Sequence, residues 1–303
     1  MSNRPYKEQV ALLLRIIPVL EKEKVFAMHG GTAINLFIRD MPRLSVDIDL
    51  TYVPLEDRET SVKNIEAAVR RVAAELQQIL QNPRIDINER GDKLTCSLDG
   101  VQVKVEVNNT ARGLIGAPEM RVLCERAQQE FRTFCRIQTA PLGQIYGGKI
   151  CAALDRQHPR DLFDVKYMLE NEGFTPDIKR GFMACLLSSD RPLNEMLRPN
   201  FKDERLTMTN HFEGMTNEPF SYAEYEATRE KLVKTIHENL TADDRAFLIS
   251  FKNGEPEWER YGYADLEKFP SIRWKLQNIQ KLKRDNPAKH KAQFEALKDK
   301  LGT

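Results

Sequence analysis

Apolar residues recur along this chain with two different periods, and the period changes part-way. Before residue 140, alternating apolar positions typical of β-strands are interspersed with segments of helical period. Predicted strands lie near 25–29, 46–50, 84–89 and 92–108, and predicted helices at 6–22 and 56–80. Later segments have helical period or helix-start signals, at 143–156, 159–171, 176–188, 221–239, 242–251, 270–283 and 287–300. We therefore predict an α/β (α+β) chain with a small mixed sheet over residues 1–140 and a helical domain over residues 141–303.

Composition changes this picture little. The 303 residues include 46 Lys and Arg against 45 Asp and Glu, so any nucleic-acid binding must use a local patch. No apolar run approaches the length of a membrane span, and the N-terminus has no signal-peptide pattern. The five cysteines are scattered without the spacing of a zinc site, and their odd number argues against a disulfide scaffold. We expect a cytoplasmic protein with no membrane partner.

The most informative chemistry begins where an apolar strand ends in Gly30 and Gly31. The next strand carries Asp47 and Asp49, whose side chains share one face because alternate strand residues point the same way. Carboxylates bind hard divalent cations, and a glycine turn lets a triphosphate approach backbone N–H groups. This combination predicts a two-metal site for phosphoryl or nucleotidyl transfer. The alternative is an exposed strand with alternating acids.

A third carboxylate, Glu106, is a candidate for the same polar face. Asp99 and Gly100 predict a hairpin turn, and valines alternate with polar residues along the strand that follows. If this strand lies near the one that carries Asp47 and Asp49, Glu106 could join them. Three clustered acids would need cations, because like charges disfavour one another. The alternative is a solvated strand face formed by Lys104 and Glu106.

These residues resemble a known superfamily. Gly30-Gly31-Thr32-Ala33, followed by Ser45-Val46-Asp47-Ile48-Asp49-Leu50, is similar to the DNA polymerase β-type nucleotidyltransferases. The match is closest to the AbiEii/AbiGii-type nucleotidyltransferase toxins of bacterial toxin–antitoxin and phage-exclusion (abortive infection) systems. Lys149 with the later run Arg160-Asp161-Leu162-Phe163-Asp164-Val165 resembles the downstream motif of that family. Segments at 255–258 and 269–278 also resemble its C-terminal part, so the resemblance spans about residues 25–283.

The resemblance implies a metal-dependent enzyme that transfers NMP from an NTP to an RNA acceptor, with a tRNA 3′ end as the expected target. One Mg²⁺ (or Mn²⁺), held by Asp47 and Asp49, would bridge the triphosphate. A second, held by the same acids and Glu106, would lower the pKa of the acceptor hydroxyl. The helical domain would complete the nucleotide and acceptor cleft, and a separately encoded antitoxin is the expected protein partner.

The expected roles fall into three sets. The metal ligands are Asp47, Asp49 and Glu106. The full catalytic set adds Lys149, Asp161 and Asp164. The nucleotide-binding set is Gly30, Gly31, Thr32, Ser45, Lys149 and Arg160. Lys149 is expected to contact the triphosphate, whereas Asp161 and Asp164 either orient Lys149 or Arg160 or are ordinary acids of a helix's first turn.

Several alternatives stay open. The same site could serve a small-molecule nucleotidyltransferase of the antibiotic-modifying kind, or the chain could be a non-catalytic nucleotide-binding module. Arg43 either reaches phosphate or RNA or is an exposed charge. A C-terminal basic run is either a solvated helix face or a track for a nucleic-acid backbone. Its members are Lys275, Lys281, Lys283, Arg284, Lys289, His290 and Lys291.

Overall fold

An amphipathic helix, α1 (Arg4–Leu20), begins the computed structural model, which describes residues 4–302. The strand β1 (Phe26–His29) follows, then a single turn of helix α2 (Gly30–Thr32), a π-helix (Ala33–Ile38) and the strand β2 (Asp47–Tyr52). Next come the helix α3 (Arg58–Ile79), the strands β3 (Arg84–Ile87), β4 (Lys93–Leu98), β5 (Val101–Asn108) and β6 (Glu119–Val122), the helix α4 (Glu125–Phe131) and the strand β7 (Arg136–Thr139).

The seven strands form one mixed sheet in the order β3-β4-β5-β2-β1-β7-β6. Strand β2 is central, parallel to β5 and antiparallel to β1. The predicted mixed sheet is confirmed, and so is the hairpin between β4 and β5. The sheet is larger than expected, because β6 and β7 extend it beyond β1. Neither of these two four-residue strands was predicted from the sequence.

Thirteen α-helices lie in the described residues, and the later ones form most of a second compact unit. They are α5 (Leu142–Asp155), α6 (Pro159–Asn171), α7 (Pro176–Ser188), α8 (Leu193–Leu197), α9 (Arg205–His211), α10 (Tyr222–Asn239), α11 (Ala242–Lys252), α12 (Pro270–Asp285) and α13 (Pro287–Leu301). A short 3₁₀ turn spans Ala264–Leu266. Two short helices of this series, α8 and α9, were not indicated by the sequence.

The chain clusters into two units, and one segment crosses the predicted division at residues 140 and 141. The first unit contains the residues up to Pro141 together with Asn210–Pro219, and the second contains Leu142–Thr209 and the residues from Phe220 onward. The segment 210–219 is hydrogen-bonded to the loop before β2, which lies in the first unit. The Leu44 N–H donates to the Met215 carbonyl at 2.7 Å, and Thr216 Oγ1 donates to the Pro42 carbonyl at 2.8 Å.

In the second unit, α5 and α7 approach one another closely. A Cβ atom at Gly147 would lie 2.2 Å from the backbone of Gly181, so larger residues would push the helices apart.

Between residues 4 and 302, none of the helices combines the length and apolar character needed to cross a bilayer.

Candidate functional site

The glycine turn is tied to the start of β2. Gly30 has φ +75°, a left-handed conformation that favours glycine, and it carries the chain from β1 into the π-helix. The Thr32 hydroxyl donates to the Asp47 carbonyl at 2.5 Å and lies 3.0 Å from Ser45 Oγ, within hydrogen-bond distance. Asn35 Nδ2 donates to the Gly31 carbonyl at 2.9 Å. These bonds place the turn directly beside the strand that carries the two aspartates.

The two glycines of the turn contact side chains from that second strand and the loop before it. A Cβ atom at Gly30 would lie 2.3 Å from Asp49 Oδ2, so the Asp49 carboxylate lies directly against the backbone of the turn. A Cβ atom at Gly31 would lie 2.8 Å from an Arg43 guanidinium nitrogen and 2.9 Å from Ser45 Oγ. The turn is therefore flanked by a carboxylate on one side and by a cation and a hydroxyl on the other.

Arg43 is 3% exposed, so the interpretation of this residue as an exposed surface charge was wrong. Its Nη1 donates to the Leu44 carbonyl at 2.9 Å, which holds the guanidinium against the turn. Sequence reasoning could not rank Arg43 higher, because its burial depends on contacts made by the loop between the π-helix and β2. A buried guanidinium beside a glycine turn is suited to an anionic ligand, since it presents several N–H donors in a fixed plane.

The register of β2 and β5 places the third predicted acid beside the first two. Asp47 lies opposite Lys104, and Asp49 lies opposite Glu106. Residues opposite one another in neighbouring strands project from the same face, so Asp47, Asp49 and Glu106 share one face of the sheet. The sheet alternates as expected, since Val103, Val105 and Val107 are buried and the residues between them are exposed.

The side chains of these acids do not converge into one cluster. Glu106 forms an ion pair with Lys93, its neighbour on β4. Among residues 4–302, no three His, Cys, Asp or Glu side chains are placed to hold a metal ion. Asp49, by contrast, has no ion pair to any side chain of the described residues. Asp47 and Asp49 offer the hard oxygen donors that Mg²⁺ prefers, so this donor pair fits a divalent ion. Glu106 as a third ligand stays a prediction, because it would have to leave Lys93.

Comparison with known families settles what kind of protein this is. A family model described as nucleotidyl transferase AbiEii toxin, type IV TA system, matches residues 11–278, most of the chain. The chain belongs to the AbiEii family. It is thus a nucleotidyltransferase toxin of a type IV toxin–antitoxin system, and the predicted resemblance is confirmed. Nucleotidyltransferases of this kind use an NTP and a divalent metal ion.

A solved structure supports the fold of this AbiEii-family chain. MenT4, a nucleotidyltransferase toxin from Mycobacterium tuberculosis H37Rv, is similar with a TM-score of 0.60. The alignment covers 91% of this chain and 93% of MenT4 at 14% sequence identity, a level at which the likeness concerns the fold alone. Among curated proteins, none matches the sequence.

The downstream family motif forms a buried ionic cluster in the second unit. Lys149 on α5 lies between two acids of α6, with its Nζ 2.8 Å from Asp161 Oδ1 and 3.1 Å from Asp164 Oδ2. Arg156 also donates to Asp161, at 2.5 and 3.0 Å. Both aspartates are 1% exposed and Lys149 is 7% exposed. The interpretation of Asp161 and Asp164 as ordinary surface acids of a first turn was wrong, because both are buried against Lys149.

The charge state of this cluster follows from its contacts. Burial alone would raise the pKa of Asp161, but the Lys149 ammonium and the Arg156 guanidinium outweigh it and hold that pKa well below its usual range. The N-terminus of α6 is organised by Pro159 at its first position and by His158, whose ring nitrogen accepts from the Arg160 N–H at 3.1 Å. The Asp161 carboxylate is therefore ionised, and both Asp161 and Asp164 contact Lys149.

Proposed function

We propose that this AbiEii-family protein transfers NMP from an NTP to an RNA acceptor, with a tRNA 3′ end as the favoured target. In this reaction an acceptor hydroxyl attacks the α-phosphorus of the NTP, a new phosphodiester bond forms and pyrophosphate leaves. The observation that carries the proposal is the contact between Asp49 and the backbone of Gly30, within a chain whose family is nucleotidyltransferase. It supports the proposal because a carboxylate, a group that can hold a metal ion, lies beside a turn that suits a phosphate.

The glycine turn is the proposed triphosphate site. Gly30 and Gly31 leave the backbone open to a close approach, and the Ser45 hydroxyl lies next to Gly31. Thr32 is occupied by its bonds to the Asp47 carbonyl and Ser45, so its contribution is to fix the turn rather than to contact phosphate. We add Arg43 to the site, because its guanidinium lies against the same glycine.

Asp47 and Asp49 would hold the metal ion, and Glu106 would join them after release from Lys93. When bound, divalent ions of this kind neutralise phosphate charge and lower the pKa of an attacking hydroxyl. The protein's own contribution is to hold two carboxylates on one strand face beside the turn. The short bond from Thr32 to the Asp47 backbone keeps the strand and the turn in register.

Lys149 is the proposed contact to the triphosphate in the second unit. An ammonium has three N–H donors, and Asp161 and Asp164 take two of them. The third can reach a further acceptor. Because both acids are buried and paired with Lys149, we assign them as positioning residues rather than as catalytic ones. Arg160 lies in the first turn of α6 and is proposed as a second cation for the nucleotide.

The proposed partners are an RNA acceptor and a cognate antitoxin, the latter because the family belongs to toxin–antitoxin systems. Small-molecule nucleotidyl transfer uses the same donor site with a different acceptor. It is therefore the main alternative to RNA modification.

The proposal is tested by incubating the protein with each α-labelled NTP, Mg²⁺ and total cellular RNA. We expect label on RNA, concentrated in the tRNA fraction and removed from it by cleavage of the 3′ end. The Asp47→Asn/Asp49→Asn double variant should transfer no label. Asp86→Asn is the matched control, because Asp86 lies on β3, the edge strand of the same sheet, and is paired with Arg84.

Other outcomes would contradict specific parts of the proposal. Label only on a small molecule would exclude the RNA acceptor and leave the donor site intact. Label on RNA in the double variant would exclude the two aspartates as the reaction centre. Absence of both transfer and Mg²⁺-dependent NTP binding would indicate a non-catalytic module.

A further inference from the structure

A cavity of about 190 Å³ lies in the second unit, and most of the charged residues that line it are cations. It lies between α11, α12, α13 and the segment that joins α7 to α8. Its lining includes Arg191, Lys252, Lys275 and Lys289 but only one acid, Asp190. Asp190 is exposed at the rim, and Arg191 is already paired with Asp155 and Glu195. The charge deep in the cavity is therefore set by Lys252 and Lys275, the two lysines of the lining that are buried.

Lys252 is buried with a neutral partner. The residue is 3% exposed, and its Nζ donates to Gln293 Oε1 at 2.7 Å. An ammonium has three donors, and no carboxylate among the described residues pairs with this one. Removing a charge from water without a counter-charge is costly. Burial accordingly lowers the pKa of Lys252 to about 8, so at pH 7 the side chain still carries most of its charge.

Lys275 supplies a second buried cation to the same wall. Both interpretations of the C-terminal basic run, a solvated helix face and a track for a nucleic-acid backbone, placed Lys275 at the surface, but it is 8% exposed. Its Nζ donates to three backbone carbonyls, those of Leu186 at 3.1 Å, Ser189 at 2.6 Å and Arg191 at 2.8 Å. These bonds use all three donors and neutralise no charge, and burial lowers the pKa of Lys275 to about 8. The Lys275 ammonium is thus a fixed positive charge beside Lys252.

The cavity is separate from the ionic cluster at Lys149. On α5, Lys149 faces α6, whereas Cys151 faces α7, with its Sγ 3.9 Å from the Phe182 carbonyl. Positions two apart on a helix point in nearly opposite directions. The Lys275 ammonium donates to the Leu186 carbonyl at the end of α7 and interacts electrostatically with Cys151. The cavity therefore lies on the α7 side of α5, away from Lys149.

We propose that this cavity binds a phosphate group that has a free end. Two buried ammonium groups without carboxylate partners call for an acceptor-only anion with more than one negative charge. The volume is several times the ~30 Å³ share of one water molecule, so a phosphate group and part of its hydration fit. Because Lys252 is buried, the ligand must present a free end, which a terminal phosphate has and a backbone phosphodiester lacks. Free inorganic phosphate and the terminal phosphate of an RNA share this chemistry.

The test is calorimetric titration of the whole protein at pH 7 and constant ionic strength. The probes are inorganic phosphate and a short oligoribonucleotide with and without a 5′-phosphate, and chloride is the reference anion. We expect saturable binding of inorganic phosphate or a clear preference for the 5′-phosphorylated oligonucleotide. The first result indicates a free phosphate and the second a terminal phosphate of RNA. In Lys252→Met we expect that binding to weaken about tenfold or more, because a charge-assisted hydrogen bond is lost.

Two controls keep the test decisive. Lys281→Met makes the same charge change on α12 outside the lining of the cavity and should leave binding within about twofold of the wild type. Lys289→Met removes a cation at the rim, where folding is not at risk, and should weaken binding about threefold. Binding of neither probe, or equal binding by wild type and Lys252→Met, would overturn the proposal. If Lys252→Met fails to fold, undiminished binding by Lys289→Met would overturn it.

Discussion

The two pairs of aspartates in this protein occupy opposite electrostatic situations. Asp47 and Asp49 lie half-buried on a strand face, and Asp49 has no ion pair in residues 4–302. Asp161 and Asp164 are 1% exposed and both contact Lys149. Both members of the second pair already have a cationic partner in Lys149, and Asp161 has a further one in Arg156. We therefore propose that the first pair binds a metal ion and that the second pair positions Lys149.

The largest expected effect concerns Asp49 on β2, where a substitution should change activity much more than stability. If Asp49 holds the metal ion as proposed, Asp49→Asn removes a charge that is worth several kcal/mol in the transition state, so nucleotidyl transfer should fall about a thousandfold. Stability should hardly change, because no ion pair is lost. Transfer is measured with α-labelled NTP and stability by thermal denaturation. A large fall in melting temperature with little loss of transfer would reverse the assigned roles of the two pairs.

At Asp161 and Asp164, loss of the partner Lys149 should mainly lower stability. Lys149→Met leaves two buried carboxylates without their ammonium partner, which should cost about 3–5 kcal/mol of unfolding free energy. Lys149→Arg keeps the charge and should cost less. Both tryptophans, Trp258 and Trp274, lie in the second unit, so their fluorescence during urea unfolding reports on that unit.

Lys234→Met is the matched control for this substitution. Lys234 is an exposed lysine of the same unit, paired only with Glu238 one helical turn away, and its loss should cost at most about 0.5 kcal/mol. Equal unfolding free energies for the Lys149 and Lys234 variants would show that the buried cluster does not stabilise the second unit.

Acid should weaken the second unit through Asp161. The folded-state pKa of Asp161 lies below its ordinary value, so the unfolded chain takes up a proton first. The stabilisation is present above about pH 5 and is lost as pH falls through the unfolded pKa towards the lower folded one. Asp161→Asn should be less stable at neutral pH and should show a flatter decline between about pH 5 and 2 when followed by tryptophan fluorescence. An unchanged slope would contradict this account.

The smallest expected effect concerns the third carboxylate. Lys93 and Glu106 are 35% and 47% exposed, and such pairs are worth about 0–1 kcal/mol. Lys93→Met should free Glu106 and strengthen Mn²⁺ binding by up to about fivefold if Glu106 is a ligand. Unchanged affinity in Lys93→Met, together with unchanged affinity in Glu106→Gln, would restrict the ligands to Asp47 and Asp49.

The sequence predicted those features that depend on local pattern. The alternation of β2 and β5 put Asp47, Asp49 and Glu106 on one face, and the register agrees. The turn at Asp99 and Gly100 was likewise readable, because both residues adopt positive φ angles that this dipeptide favours. The alternation within each strand and the turn are set within a few residues, so a single sequence is enough to find them. The pairing of β2 with β5, which brings Glu106 beside Asp49, joins distant segments and was only a condition of the prediction.

The features that were missed depend on packing between distant segments. The burial of Lys275 follows from carbonyls at the end of α7, far away in sequence, which no periodicity reveals. The ion pair between Lys93 and Glu106 depends on side-chain conformations across two strands. The contact of Arg43 with Gly31 depends on a loop conformation. In each case the residue type was visible but its partner was not.

The most direct test of the account is a Mn²⁺ titration followed by electron paramagnetic resonance, in wild type, Asp49→Asn and Asp86→Asn. The account predicts a saturable Mn²⁺ site in wild type and in Asp86→Asn that is lost in folded Asp49→Asn. A site of unchanged affinity in Asp49→Asn would contradict the claim that the strand aspartates hold the metal ion.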